Sequence, residues 1–125
     1  DGTRAVVEVR EASNEGTDLW LVDLETGLRT RFTFAPGDEV RPTWSRDGGY
    51  VFYESEQEGV FRIMQQPVEG QGGAAIVLES EREIAPTSLG LGDADLLLDW
   101  EREGNEFEMR RLPLAGGVHG WFLPG

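Results

Sequence analysis

The sequence predicts an all-β protein built from about three four-stranded antiparallel β-propeller blades, the first of which lacks its inner strand. Two observations carry this prediction. Short strand-like runs alternate with turn signals along the chain, and a segment recurs at spacings of 44 and 46 residues. We therefore expect a single partial propeller over residues 1–125, with blade units at about 1–35, 36–79 and 80–125.

Alternating hydrophobicity and turn residues mark the strands. Leu28, Thr30, Phe32 and Phe34 alternate with polar residues, which predicts a half-buried strand with these four side chains on one face. Further strand-like runs lie between turns rich in Gly, Asn and Asp, and they cover residues 5–9, 19–24, 50–54, 60–65, 74–78, 96–100, 107–112 and 118–123. Such a pattern is typical of a sandwich, a barrel or a propeller.

An internal repeat favours the propeller among these folds. The segment 39–43, Glu-Val-Arg-Pro-Thr, recurs 44 residues later as Glu-Ile-Ala-Pro-Thr at 83–87. Phe61 and Pro67 recur 46 residues later as Phe107 and Pro113. A period of roughly 40–50 residues with four strands in each unit is typical of a propeller blade.

One helix signal competes with the strands. Ser80 and Glu83 fit a capping box, and Pro86 would end the helix after about one turn. The segment is too short for a stable helix, and we expect a loop between two units.

The composition excludes several classes of protein. A net charge of −13 disfavours nucleic acid and anionic membrane surfaces, because both need a basic protein surface. The absence of cysteine excludes disulfides, thiolate zinc sites and cysteine nucleophiles. No apolar run approaches the ~20 residues of a transmembrane helix, so we expect no membrane insertion.

Residues that could carry chemistry are few. His119 is the single histidine, so a catalytic triad or a histidine-rich metal site is not expected. Glu54, Glu56 and Glu58 alternate and would share one face, where they could hold a cation or act as an acid and a base on a sugar. The simpler interpretation is a solvated edge, and we predict no catalytic residue, no metal and no cofactor.

The segment 42–53, Pro-Thr-Trp-Ser-Arg-Asp-Gly-Gly-Tyr-Val-Phe-Tyr, resembles the repeat of TolB-type, WD40-like propellers. Residues 18–24 resemble the next strand of that repeat, and 28–34 its outer strand. Two departures are Arg46, where the family prefers proline, and 88–92, where a Trp-Ser-x-Asp-Gly turn belongs. The resemblance implies structural roles in the repeat for Trp20, Pro42, Trp44, Ser45, Asp47, Gly48 and Pro86.

The resemblance also implies a binding function. Closed propellers need about four to eight blades. Three blades therefore leave open ends, and two copies would give a six-bladed ring. We expect a protein partner or self-association as a homodimer, with Trp121 and Phe122 as a possible association surface. The family resemblance favours an extracytoplasmic or periplasmic location.

Three functions remain open at this point. The first is a non-catalytic module for protein–protein binding or self-association, which the resemblance favours. The second is a propeller that binds a small ligand or a glycan with Trp and Glu side chains. A Trp beside a carboxylate in a pocket would favour this function. The third is a glycosidase-type hydrolase, which needs two facing carboxylates in a cleft.

Overall fold

A computed structural model of the chain describes residues 3–10, 16–34, 37–45, 48–69, 73–89, 95–103 and 106–113. These residues form ten β-strands and no helix, which confirms the predicted all-β class. The strands are β1 (Arg4–Arg10), β2 (Thr17–Asp23), β3 (Arg29–Arg31), β4 (Asp38–Trp44), β5 (Tyr50–Gln57), β6 (Val60–Pro67), β7 (Ala75–Ser80), β8 (Ile84–Leu89), β9 (Asp95–Glu101) and β10 (Phe107–Pro113).

The strands form three antiparallel sheets, each made of consecutive strands. The first sheet has the order β1-β2-β3, the second β4-β5-β6-β7, and the third β8-β9-β10. Tight turns between neighbouring strands allow this arrangement, as at Glu58 and Gly59, which join β5 to β6 while Gln57 pairs with Val60. The sheets are therefore meanders that follow one another along the chain.

The repeated segments occupy equivalent places in the second and third sheets. Residues 39–43 lie in β4 and residues 84–87 open β8, and each of these strands begins its sheet. The first sheet begins with β1, which is the counterpart of β5, and the described residues contain no counterpart of β4 there. This agrees with the prediction that the first unit lacks its inner strand.

The three sheets stack in chain order. A cluster of Leu19, Phe32, Val51 and Tyr53 fills the seam between the first and second sheets. Eight buried side chains fill the seam between the second and third sheets: Phe52, Ile63, Val77, Leu78, Ile84, Leu96, Leu98 and Leu112. Each such side chain contributes about 1.5–3 kcal/mol when it is fully buried. The second sheet is thus covered on both faces.

Two glycines allow close backbone approaches, Gly16 between the first and second sheets and Gly37 between the start of β4 and β5. A Cβ atom on Gly16 would lie 2.1 Å from the carbonyl oxygen of Gly37, and one on Gly37 would lie 2.3 Å from that of Glu56. The adjacent N–H of Thr17 donates to Asp38 Oδ1 at 2.9 Å. A side chain at Gly16 would separate the first sheet from the second, and one at Gly37 would separate the start of β4 from β5.

Some predicted elements differ in the structure. The outer strand predicted over 28–34 is limited to Arg29–Arg31. Beyond it the N–H groups of Phe32 and Thr33 both donate to the carbonyl oxygen of Leu19, which interrupts the alternation. Phe32 is therefore buried while Leu28 and Phe34 are 67% and 71% exposed, so their predicted common face is wrong.

The segment that follows β7 is a turn, as expected for a loop between units. The N–H of Arg82 donates to Ser80 Oγ at 2.9 Å, so the serine hydroxyl closes a turn instead of starting a helix. The strand predicted at 118–123 lies outside the described residues. The unit boundaries at 35/36 and 79/80 stay a prediction.

Candidate functional site

Arg41 lies at a β-bulge in β4 and has an unusual backbone. Its φ is +57°, in the left-handed region that costs a residue with a side chain about 1–2 kcal/mol. The register of β4 on β5 shifts between Val40 and Thr43, so Arg41 and Pro42 form the bulge. The N–H of Arg41 turns out of the sheet and donates to Glu8 Oε2 at 2.8 Å, which compensates the strain.

The side chain of Arg41 connects the second sheet to the third. Its Nη1 lies 3.1 Å from Glu83 Oε2 and 3.7 Å from Glu54 Oε1. Glu8 belongs to the first sheet, Glu54 to the second, and Glu83 precedes the third. One arginine thus contacts carboxylates from all three sheets, and its side chain stays 49% exposed.

Glu54 is a buried carboxyl beside this arginine. It is 4% exposed, and burial raises its pKa to about 7, against the lowering effect of Arg41. The negative charges of Glu83, Glu56 and Asp38 add to the rise of this pKa. Glu54 therefore titrates near neutral pH.

A second buried carboxyl lies in the seam between the first and second sheets. Glu39 is 1% exposed, and burial together with Asp18 raises its pKa to about 8, while Thr33 opposes the rise. If Glu39 were ionised, the Thr33 hydroxyl would be the one nearby donor among the described residues, and Asp18 Oδ1 would have none. Asp18 Oδ2 already accepts from Arg31 Nη2 at 2.7 Å. A protonated Glu39 that donates to Asp18 satisfies the pair at neutral pH.

The two raised carboxyls do not face each other. Glu39 pairs with Ser55, and Glu54 pairs with Val40, so the side chains of Glu39 and Glu54 point to opposite faces of the second sheet. This separation disfavours the acid–base pair that a glycosidase needs. Within the described ranges, no three His, Asp or Glu side chains are arranged to hold a metal ion.

The repeat motif after β4 forms a tight turn. Ser45 Oγ accepts from the N–H of Tyr50 at 3.0 Å, and the carbonyl oxygen of Ser45 accepts from the N–H of Gly48 at 3.0 Å. Gly48 has φ +75°, which glycine adopts without strain. Trp44 packs against the first seam with Arg4 5.9 Å above its ring. Asp47 lies outside the described residues.

The remaining predicted residues are dispersed. Pro42 lies in the bulge beside Arg41, and Pro86 lies in β8 opposite Leu98, next to another register shift. Trp20 lies on the first sheet, away from both seams. Trp121 and Phe122 lie outside the described residues, so the association surface assigned to them stays a prediction.

The first and third sheets each keep one face that neither seam uses. Val6, Leu19 and Leu21 face the second sheet, and the side chains of Val7, Val9, Trp20 and Val22 alternate with them on the open face of the first sheet, with Arg29 beside them on β3. Asp18, at the start of β2, contacts Glu39 in the seam. Leu96, Leu98 and Leu112 face the second sheet in the same way. The open face of the third sheet therefore includes Leu97, Asp99, Glu101, Phe107, Met109 and Arg111.

A cleft lies on the open face of the first sheet. Its volume is about 440 Å³, and it is lined by Val9, Trp20, Gly27, Leu28 and Arg29. The described lining residues include an arginine and no carboxylate. The arrangement expected for a glycan site, a Trp beside a carboxylate, is therefore not present among these lining residues.

The stack of sheets resembles known structures. The structure of TolB from Acinetobacter baumannii superposes with a TM-score of 0.78 at 18% sequence identity, over 94% of this chain and 29% of that one. The chain has a TolB-like propeller fold. A protein assigned as TolB from Agrobacterium tumefaciens has the same fold, with a TM-score of 0.58, 18% identity, and coverage of 90% of this chain and 47% of that one.

Sequence comparison adds one distant relative. An uncharacterised protein of Agrobacterium fabrum is 23% identical over 86 residues, which are 69% of this chain and 29% of that protein. No protein-family model matches the chain. The chain therefore spans less than half the length of each of these proteins, and the TolB-like fold is what the structural likeness establishes.

The sequence predicts a solvated edge at Glu54, which is wrong because this carboxyl is 4% exposed, and it predicts no site at Glu39. Glu39 belongs to the repeated segment, where its counterpart is Glu83, but the repeat indicates equivalent positions in two sheets and not the burial of this carboxyl.

The part of the chain that the structure describes contains no helix with the length and hydrophobicity of a membrane span.

Proposed function

We propose that this chain is a non-catalytic protein-binding module that self-associates through the open faces of its first and third sheets. The observation that carries the proposal is that the second sheet is covered on both faces, while among the described residues no sheet packs on the outer face of the first or the third sheet. Apolar side chains are exposed on the third sheet: Phe107 is 52% and Met109 is 64% exposed. Apolar sheet faces of this kind are association surfaces.

The two other functions have less support. A hydrolase would need paired carboxylates, and Glu39 and Glu54 lie on opposite faces of one sheet. A glycan site would need a carboxylate beside Trp20, whose cleft contains Arg29 instead. TolB-like propellers are consistent with protein binding, and the likeness to TolB from Acinetobacter baumannii supports the proposal at that general level.

The solution mass tests the proposal. Light scattering over a concentration series should give a species of twice the 13.9 kDa chain mass. Phe107→Asp should weaken this dimer at least about tenfold, because it puts a charge into an apolar contact. Ile76→Asp is the matched control, since Ile76 is also 52% exposed but lies on β7, the edge strand of the second sheet.

Two results would contradict self-association through these faces. One is a folded wild-type chain of 13.9 kDa at every concentration. The other is an equal loss of association in Phe107→Asp and Ile76→Asp, which would assign the contact to a different surface.

A further inference from the structure

Arg29 gives the open face of the first sheet a positive charge beside an apolar cleft. It lies on β3 opposite Val22, on the same face as Val9 and Trp20. Arg31, its neighbour on that face, is held by Asp18 at 2.7 Å. Among the described residues Arg29 has no ion pair, so its guanidinium is available to a carboxylate.

The open face of the third sheet carries a carboxylate beside an exposed apolar side chain, with Arg111 on the same face. Asp99 pairs across the strands with Met109, and an exposed thioether side chain therefore lies directly beside a carboxylate. Asp99 makes no ion pair with another described residue. Glu101, on the same strand face, accepts from the N–H of Glu83 at 3.2 Å and so already has a partner within its own chain.

The order of stacking decides which faces can meet. The first sheet packs on β4 and the second sheet packs on β8, so a sheet contacts the preceding sheet of the chain with one face and the following sheet with the opposite face. The face that would contact a preceding sheet is open in the first sheet, and the face that would contact a following sheet is open in the third. Continuing the stack therefore joins the third sheet of one copy to the first sheet of another.

The cleft matches the side chain that this continuation brings to it. A volume of about 440 Å³ lined by Val9, Trp20 and Leu28 is large enough for an unbranched side chain such as methionine. Methionine fills irregular apolar spaces and makes favourable sulfur contacts with aromatic rings. The carboxylate beside Met109 would then lie at the same face as Arg29.

We propose that a second copy of this chain docks head to tail, with Met109 in the cleft of the first sheet and Asp99 paired with Arg29. This assignment rests on the proposed self-association and adds to it the pair of faces that meet. Each copy has one face of each kind, so the contact is heterologous, and it closes at two copies and six sheets when three stacked sheets span half a turn.

Charge reversal tests the assignment in the full chain. Arg29→Asp and Asp99→Arg should each raise the dissociation constant of the dimer at least about tenfold, because each puts like charges together. The double variant restores opposite charges and should return the constant to within about threefold of the wild type. Sedimentation equilibrium gives these constants, and far-UV circular dichroism verifies that each variant is folded.

Arg82→Asp is the matched control. It is also a charge reversal at an exposed arginine, but Arg82 lies in the turn between β7 and β8. It should leave the dissociation constant within about threefold of the wild type.

The outcomes separate this inference from the proposed function. A wild-type dimer whose constant is insensitive to Arg29→Asp, or a double variant that stays as weak as the single ones, overturns the head-to-tail pairing while leaving self-association intact. A wild-type monomer overturns both.

Discussion

Glu39 and Asp18 lie together in the seam between the first and second sheets, where solvent hardly reaches the Glu39 carboxyl. The groups that face Glu39 are Asp18 from β2, Thr33 after β3, Asp38 beside it and Tyr53 from β5. Arg31 neutralises Asp18 from its far side. Among the described residues, the seam therefore holds one negative charge with a partner and no cation for a second.

The proton on Glu39 links folding to pH. Burial and Asp18 raise the pKa of Glu39 from 4.5 to about 8. Between these two values the folded protein holds a proton that the unfolded chain releases, so the free energy of unfolding falls as the pH rises through this window. The stabilisation is fully present below pH 4.5 and is lost above about pH 8. Glu54, whose pKa rises to about 7, acts in the same direction.

Glu39→Gln removes this dependence at one site. Glutamine stays neutral and can donate to Asp18, so the variant should be more stable than the wild type by about 2–4 kcal/mol at about pH 8.5 and nearly equal to it at about pH 5. Urea denaturation at the two pH values measures the difference.

Glu25→Gln is the control for this experiment, because Glu25 lies in the exposed turn after β2. It should leave the pH dependence of the wild type unchanged. Equal pH dependence in the wild type and in Glu39→Gln would show that Glu39 does not hold the proton.

At the scale of the elements, the hairpin between β5 and β6 carries a backbone strain that the sequence does not relieve. Its two turn residues, Glu58 and Gly59, have φ of 53° and 81°. Two positive φ values in a two-residue hairpin are typical of a type I′ turn, in which Asn-Gly is preferred. Glutamate adopts this region less readily than asparagine because it has no short side chain that can hydrogen-bond locally.

Glu58→Asn should therefore stabilise the protein by about 0.5–1 kcal/mol. Gly59→Ala should have the opposite effect, since a Cβ atom there meets no atom within 4 Å and the cost is one of backbone conformation. The urea midpoint of each variant, compared with that of the wild type at an unchanged denaturant slope, measures the change in the free energy of unfolding. A destabilised Glu58→Asn variant would mean that the glutamate side chain makes a contact worth more than the turn.

The strands that could be predicted are those whose local pattern and tertiary position agree. β1, β2, β5 and β6 have turn signals at both ends and apolar residues that one or both seams bury, and the prediction of each is close to the structure. β3 fails this test. The two N–H groups that share the Leu19 carbonyl shorten it, and hydrophobic alternation alone does not reveal such a long-range bond.

The candidate site was less predictable than the strands. The Arg41 bulge depends on Glu8, 33 residues earlier, and its ion pair with Glu83 depends on a turn 42 residues later. The repeat predicts that residues 39–43 and 83–87 are equivalent, but it does not predict that Arg41 contacts both Glu8 and Glu83. Packing between sheets sets the pKa of Glu39 and Glu54, and that information is not local in the sequence.

At the scale of the whole molecule, the second sheet couples the other two. Phe52 faces the third sheet, while its neighbours Val51 and Tyr53 face the first, so β5 is shared by both seams. A sheet of this kind loses both of its covered faces when it unfolds. We therefore expect the three sheets to unfold together, although no strand of one sheet pairs with a strand of another.

Truncation in either seam tests this coupling. Leu19→Ala opens the first seam and Leu98→Ala the second, and both side chains are buried, at 0% and 1% exposed. Each variant should lose about 2–5 kcal/mol, a large share of the stability of a domain of this size. Met109→Ala, at a 64% exposed side chain, should change the stability little.

The shape of the urea unfolding transition shows whether the three sheets unfold together. Tryptophan fluorescence and far-UV circular dichroism should give one coincident urea transition for the wild type, for Leu19→Ala and for Leu98→Ala. If Leu98→Ala instead splits the transition in two, the first and second sheets form a unit that survives without the third. The open face of the third sheet would then be a flexible edge, and a dimer built on Asp99 and Met109 would be weaker, because it would have to order that sheet first.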